Sequence, residues 1–135
     1  MVIIYQDKIC TVYKTEVVKY ALLEYISDYT LNCKKPVEIH WSKSDTGSHA
    51  VVACSTRRIG VDIEIMKPRR FEAISRRYFR EVTDDKETFY HLWCQKEAYT
   101  KWKKGKIAHN LKADIDRCLI PLEGLPNDVV GYICY

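Results

Sequence analysis

The stretch Ile59-Gly60-Val61-Asp62-Ile63-Glu64-Ile65 carries β-branched residues at every second position. This alternation is typical of a β-strand. Neighbouring side chains of a strand point to opposite faces, so Asp62 and Glu64 share one face and the apolar residues share the other. The pattern predicts a strand that buries one apolar face and presents two carboxylates side by side.

Two helices are predicted after this strand. Pro68 ends the strand, and Phe71 to Phe79 carries apolar residues at helical spacing. A longer helix should run from about Lys86 to Lys103, because its basic last turn suits the helix dipole and Gly105 is a natural stop. Its large apolar residues are Phe89, Leu92, Trp93, Tyr99 and Trp102.

The rest of the chain adds short strands and one further helix. The spacing of apolar residues predicts a helix from Glu16 to Tyr29. Predicted strands are Val2 to Tyr5, Ile9 to Tyr13, Val37 to Trp41, Ala50 to Ser55, Lys112 to Ile120 and Val129 to Tyr135, with a polar turn at Ser42 to Gly47. The predicted fold class is α+β, an antiparallel sheet packed against the long helix, with residues 1–135 as a single domain.

Composition narrows the class of protein. The chain has 135 residues, of which 47% are hydrophobic and 30% charged, the balance of a compact globular domain. It contains no apolar stretch near the roughly 18 residues of a membrane span, and its apolar start is too short for a signal peptide. We therefore expect a cytoplasmic protein with no membrane contact. Six cysteines without a CxxC pair favour reduced thiols over a zinc or redox motif.

The paired carboxylates of the strand suggest a metal site. Asp62 and Glu64 repel each other unless they share a cation, and oxygen ligands suit Mg²⁺. A solvated face of a half-buried sheet is the commoner explanation of such a pair. On the long helix, Trp93, Glu97 and Lys101 follow at intervals of four and form one stripe, which by itself is also compatible with a surface Glu–Lys pair.

If the strand face and the helix stripe meet, three carboxylates and a lysine would surround one point. Such a site suits phosphate chemistry, with a metal to neutralise a pyrophosphate and Lys101 to stabilise charge on the attacked phosphate. A second cluster of polar residues could bind a phosphate further away, and it comprises Lys34, Lys35, Ser42, Lys43 and Ser44. The net charge of +4 also favours an anionic partner, although charge alone does not choose between a nucleic acid, a phosphorylated small molecule and an acidic protein.

Three motifs in this order resemble the 4′-phosphopantetheinyl transferase superfamily, and its surfactin-type branch in particular. Gly60 to Glu64, followed by Lys67-Pro68, is similar to a G-[IV]-D-[IV]-E segment. Trp93 to Lys101 is similar to a W-x-x-K-E-[AS]-x-x-K helix, and Ile39 to Ser44, after Lys35-Pro36, to a strand that ends in N-x-S-H-S.

The resemblance implies an activity and a set of site residues. The chain would transfer 4′-phosphopantetheine from coenzyme A to a serine of an acyl, polyketide or peptidyl carrier protein, with Mg²⁺ as cofactor. Asp62, Glu64 and Glu97 would hold the metal, and Glu97 would also help to activate the serine. Coenzyme A would be bound by Lys35, Ser42, Lys43, Lys96 and Lys101, of which Lys101 is also assigned a catalytic role.

The chain also departs from the family pattern. Lys43 stands where a histidine is usual, and the chain resembles a shortened member with two reduced, pseudo-symmetric halves, residues 1–58 and 59–135. A homo-oligomer could complete such a chain. Two alternatives stay open: a catalytically degenerate relative that binds coenzyme A or a carrier protein, and a small basic RNA- or DNA-binding domain, which no RNP-like or helix-turn-helix signature supports.

Overall fold

The computed structural model describes residues 2–6, 9–13, 38 and 40–135. Within these residues the strands are β1 (Val2–Gln6), β2 (Ile9–Tyr13), β3 (His40–Thr46), β4 (His49–Ser55), β5 (Gly60–Ile65), β6 (Leu119–Pro121) and β7 (Val129–Cys134). The helices are α1 (Phe71–Tyr78), α2 (Lys86–Lys103) and α3 (Ile107–Asn110). None of these helices is long and apolar enough to cross a membrane.

The described strands form two antiparallel sheets, which confirms the α+β class. One sheet has the order β1-β2-β4-β3 and the other the order β5-β7-β6. The prediction had named a single sheet, and the division falls between β3 and β5. The proposed pseudo-symmetry of two halves stays a prediction. The helix predicted from Glu16 to Tyr29 lies outside the described residues.

Three predicted segments differ from the structure. Ser42 to Gly47 was predicted as a turn, but β3 continues through Thr46 and the turn is confined to Gly47 and Ser48, with a φ of 57° at Gly47. The strand predicted from Lys112 to Ile120 is limited to Leu119–Pro121. The strand predicted from Val37 to Trp41 is displaced along the chain, because β3 spans His40–Thr46. The other predicted strands and helices within the described residues agree with the structure to within one or two residues at each end.

Side-chain hydroxyl groups connect the two sheets. Hydroxyl oxygens of β3 accept hydrogen bonds from backbone amides of β5, in three contacts that advance by two residues on each strand. The pairs are Val61 N to Ser42 Oγ at 3.0 Å, Ile63 N to Ser44 Oγ at 3.3 Å and Ile65 N to Thr46 Oγ1 at 3.3 Å. We call these contacts the hydroxyl ladder. It satisfies buried donors at the edge of β5 and explains why a polar, turn-like sequence is extended.

Helix α2 packs against β5 and β7, on the side away from the core between the sheets. The core between the sheets is apolar and includes Val51, Ala53, Val61 and Ile63. On the helix side, the Cys94 thiol donates to the Asp62 carbonyl at 3.1 Å, and burial raises the pKa of this thiol well above its ordinary value. Cys94 is therefore a structural contact between helix and strand.

Gly60 sets how closely β5 approaches α2. A Cβ atom at this position would lie far inside van der Waals contact with the backbone of α2, at the Ala98 carbonyl oxygen and the Trp102 nitrogen. Backbone atoms of a helix cannot move aside as a flexible side chain can. Gly60 is therefore needed for the strand to reach the helix, and it lies two residues before Asp62.

We predict that Gly60→Ala destabilises the protein by more than about 2 kcal/mol, because helix and strand must separate to accommodate one methyl group. Gly105→Ala is the matched control, since its added methyl group would meet the Asn110 side chain rather than backbone. Chemical denaturation of both variants measures the difference. Equal stability of the two variants would contradict the close packing described for Gly60.

Candidate active site

Asp62 lies at the centre of the candidate site. The residue is 3% exposed, and its Oδ1 atom accepts two hydrogen bonds of 2.7 Å, one from Ser44 Oγ and one from Lys101 Nζ. Its Oδ2 atom is buried and has no hydrogen-bond partner among the described residues. A buried carboxylate oxygen without a partner is unfavourable, which makes Oδ2 the open acceptor of the site.

Lys101 connects the helix to both sheets. Its Nζ atom donates to Asp62 Oδ1 and, at 3.2 Å, to the carbonyl oxygen of Lys43 on β3. An ammonium group has three hydrogens, so these two contacts leave one for a further acceptor. The lysine predicted to lie near the strand carboxylates therefore contacts one of them directly.

Glu64 lies on the same face of β5 and is held by the helix. Trp93 Nε1 donates to Glu64 Oε1 at 3.2 Å, so the tryptophan of the helix stripe faces the strand. Burial raises the pKa of Glu64 above its ordinary value, and the charge of Asp62 raises it further. The charge of Asp62 thus opposes the ionisation of Glu64.

Glu97 is the third carboxylate of the cluster. Burial raises its pKa from 4.5 to about 7, with further contributions from the charges of Asp62 and Glu64, while Lys101 acts in the opposite direction. Glu97 is therefore within electrostatic range of both strand carboxylates. A carboxyl group that titrates near neutral pH can exchange a proton readily, as a general base must.

The chemistry of this cluster fits a hard divalent cation, whereas its present arrangement is not that of a formed metal centre. Three carboxylates and an open acceptor at Asp62 Oδ2 are the oxygen ligands that Mg²⁺ prefers. Within the part of the chain that the structure describes, however, no three His, Cys, Asp or Glu side chains are positioned together to hold a metal. The Lys101 ammonium group supplies the positive charge beside Asp62.

The other predicted coenzyme A residues lie in different places. Ser42 and Lys43 are on β3, where the Ser42 hydroxyl belongs to the hydroxyl ladder and the Lys43 side chain is exposed. The Lys96 ammonium group donates to the Ala113 carbonyl, on another side of α2 from Glu97. Burial lowers the pKa of Lys96. Lys35 lies outside the described residues.

Sequence reasoning missed the contact between Ser44 and Asp62. The sequence pattern predicted Ser44 in a turn that could bind phosphate. In the structure Ser44 is only 7% exposed, and its hydroxyl group contacts the Asp62 carboxylate. The alternation of hydroxyl residues at 42, 44 and 46 was the available signal, because period two is typical of a strand with one polar face.

Comparison with known proteins points to one class of enzyme. The chain is 38% identical over 74 residues to a 4′-phosphopantetheinyl transferase of Bacillus subtilis, a match that covers 47% of this chain and 33% of that protein. It is 37% identical over 79 residues to the 4′-phosphopantetheinyl transferase Sfp of Bacillus subtilis strain 168, covering 51% of this chain and 34% of Sfp. No protein-family profile matches the chain.

The similarity confirms the predicted resemblance to the phosphopantetheinyl transferase superfamily, and it does not decide the branch. The match takes in about a third of the length of each of these curated relatives.

We predict that Glu97→Gln stabilises the metal-free protein above pH 7. The Glu97 carboxyl group ionises near pH 4.5 in the unfolded protein and near pH 7 in the folded protein, so the free energy of unfolding falls as pH rises between these values. Glutamine resembles the neutral carboxyl group and cannot ionise, so the variant avoids this loss. After allowance for solvent screening, the variant should gain about 1–2 kcal/mol at pH 8 and little at pH 4.5.

Thermal or chemical unfolding without metal, at both pH values, measures this difference. Glu87→Gln on the exposed first turn of α2 is the control and should show no such gain. A Glu97→Gln variant that is less stable than the parent at pH 8 would contradict the raised pKa.

Proposed function

We propose that this chain transfers the 4′-phosphopantetheine group of coenzyme A to a serine of an acyl, polyketide or peptidyl carrier protein, with Mg²⁺ bound by Asp62, Glu64 and Glu97. One observation carries the proposal: Lys101 of the helix motif is hydrogen-bonded to Asp62 of the strand motif, although the two residues are far apart in sequence. The two similar transferases support the same general activity.

The three carboxylates are the proposed metal ligands. Mg²⁺ would neutralise the pyrophosphate of coenzyme A and so make its β-phosphate easier to attack. Asp62 Oδ2 has no competing partner among the described residues, and it is the oxygen we assign to the cation. Burial raises the pKa values of Glu64 and Glu97, the neighbouring negative charges add to both shifts, and a cation would relieve this charge crowding.

Lys101 is proposed to contact the phosphate under attack. Its ammonium group has one hydrogen beyond those used by Asp62 and Lys43, and it lies where β3, β5 and α2 meet. A positive charge held at that point would stabilise the negative charge that develops on the phosphate oxygens. Ser42, Lys43, Lys35 and Lys96 are proposed for other parts of coenzyme A.

Glu97 is the proposed general base. A serine hydroxyl is a weak nucleophile at neutral pH, so a nearby base must remove its proton. Glu97 would accept this proton directly or through a water molecule. The serine oxygen then forms a bond to the β-phosphorus, the bond from that phosphorus to the bridging oxygen breaks, and adenosine 3′,5′-bisphosphate leaves.

The mass of a carrier protein tests the proposal. The purified chain is incubated with an apo carrier protein, coenzyme A and Mg²⁺, and the carrier should gain the mass of one phosphopantetheine group. Glu97→Gln should lower the rate by at least about a hundredfold, because general-base catalysis contributes 10²–10⁴ in rate. Glu87→Gln is the matched control on the same helix and should transfer normally.

The competing function is binding without transfer. It is favoured by the fact that the described carboxylates are not arranged as a formed metal centre and that Lys101 occupies Asp62 Oδ1. Calorimetric binding of coenzyme A together with an unchanged mass for every carrier class tested would establish this alternative and contradict the proposed transfer.

Lys43→His should be tolerated. The Lys43 side chain is exposed and its carbonyl, which contacts Lys101, is unaffected by the change. One exposed charge contact is worth about 1 kcal/mol or less, so the KM for coenzyme A should stay within about tenfold. Complete loss of transfer would give Lys43 a role other than that of an exposed phosphate contact.

A further inference from the structure

Ser44 makes two contacts that fix its hydroxyl group. Its Oγ atom accepts a hydrogen bond from Ile63 N at 3.3 Å and donates to Asp62 Oδ1 at 2.7 Å. An amide can only donate, so the single hydrogen of the hydroxyl is free to point at the carboxylate. The serine and the carboxylate are both buried, and water has little access to compete for these bonds.

These contacts make the two oxygens of Asp62 unequal. Ser44 and Lys101 both donate to Oδ1, whereas Oδ2 is buried and has no partner in the described part of the chain. Two donors on one oxygen restrict rotation of the carboxylate group. The open oxygen is thereby held in one orientation.

We propose that Ser44 is a positioning residue for the metal-binding carboxylate: it holds Asp62 by Oδ1 so that Oδ2 is presented to the cation. This inference rests on the proposed function, since it takes the cation to be Mg²⁺ at Asp62. Ser44 itself touches neither the cation nor the substrate. Residues that orient a metal ligand in this way commonly contribute ten- to hundredfold in metal affinity.

The hydroxyl ladder provides a matched comparison within the same strand. Thr46 accepts from the amide of Ile65 at 3.3 Å, the same distance as in the contact between Ser44 and Ile63. The Thr46 hydroxyl group contacts a backbone amide, whereas that of Ser44 also contacts a carboxylate. Loss of the Thr46 hydroxyl should therefore remove one contact of the hydroxyl ladder and leave the orientation of Asp62 unchanged.

Binding of Mn²⁺ alone, as a spectroscopic substitute for Mg²⁺, tests the inference without any activity measurement. The full chain is titrated and free Mn²⁺ is followed by electron paramagnetic resonance. We expect Ser44→Ala to weaken Mn²⁺ binding by about tenfold or more, and Thr46→Val to bind as the parent does. Ser44→Thr keeps the hydroxyl and should retain most of the affinity.

A second pair of variants separates positioning from folding. Ser44→Thr and Ser44→Val have nearly the same shape and differ in the hydroxyl group, so their comparison remains informative if Ser44→Ala does not fold. Stronger Mn²⁺ binding by the threonine variant supports the inference. Equal binding by the two variants overturns it, as does a parent protein that binds no Mn²⁺.

Transfer assays then distinguish the inference from the proposed function. If the parent protein modifies a carrier protein and Ser44→Val binds Mn²⁺ as well as Ser44→Thr does, the proposed function stands and the role of Ser44 is refuted. If the parent binds Mn²⁺ in a Ser44-dependent manner and transfers nothing, the role of Ser44 stands and the proposed function is refuted.

Discussion

The close approach of strand β5 to helix α2 at Gly60 is the constraint on which the rest of the structure depends. The absence of a side chain at this position lets the strand lie against the backbone of the helix at Ala98 and Trp102. Asp62 and Glu64 follow on the same strand, and Glu97 and Lys101 lie on the adjoining turns of the helix. A wider separation would leave each of these residues as an ordinary surface charge.

This packing also produces the electrostatic character of the site. Desolvation raises the pKa values of Glu64 and Glu97, and the charge of Asp62 adds to both effects. One ammonium group, that of Lys101, is hydrogen-bonded at the centre of the cluster. The cluster thus carries more negative than positive charge in a partly buried position, which is an arrangement that stabilises a bound cation.

The fold could be predicted from sequence where the hydrophobic pattern is local. Helix α2 was predicted with its observed bounds because its apolar residues, basic last turn and following glycine all lie within the segment. Strand β3 was partly mistaken for a turn because its extended form depends on other strands, namely β4, with which it pairs along its whole length, and β5, which it meets through the hydroxyl ladder. The alternation of hydroxyl residues at 42, 44 and 46 was a local signal of a strand, but it does not show which backbone amides these hydroxyl groups bind.

In the candidate site, too, the residues marked by local patterns could be predicted, whereas contacts between distant segments could not. Asp62, Glu64, Glu97 and Lys101 could be singled out from period-two and helical spacing together with a family resemblance. The contact of Ser44 with Asp62 could not, because it joins two strands of different sheets. Lys96 precedes Glu97 directly, yet a helix turns by about 100° per residue, and its ammonium group faces Ala113 instead.

A structure of the protein with coenzyme A and Mn²⁺, with the metal located by its anomalous scattering, tests the central claim most directly. We expect one metal ion bonded to Asp62 Oδ2 with Glu64 and Glu97 as further ligands, and Lys101 on a phosphate oxygen of coenzyme A. A metal ion bound elsewhere, or coenzyme A bound away from these carboxylates, would contradict it.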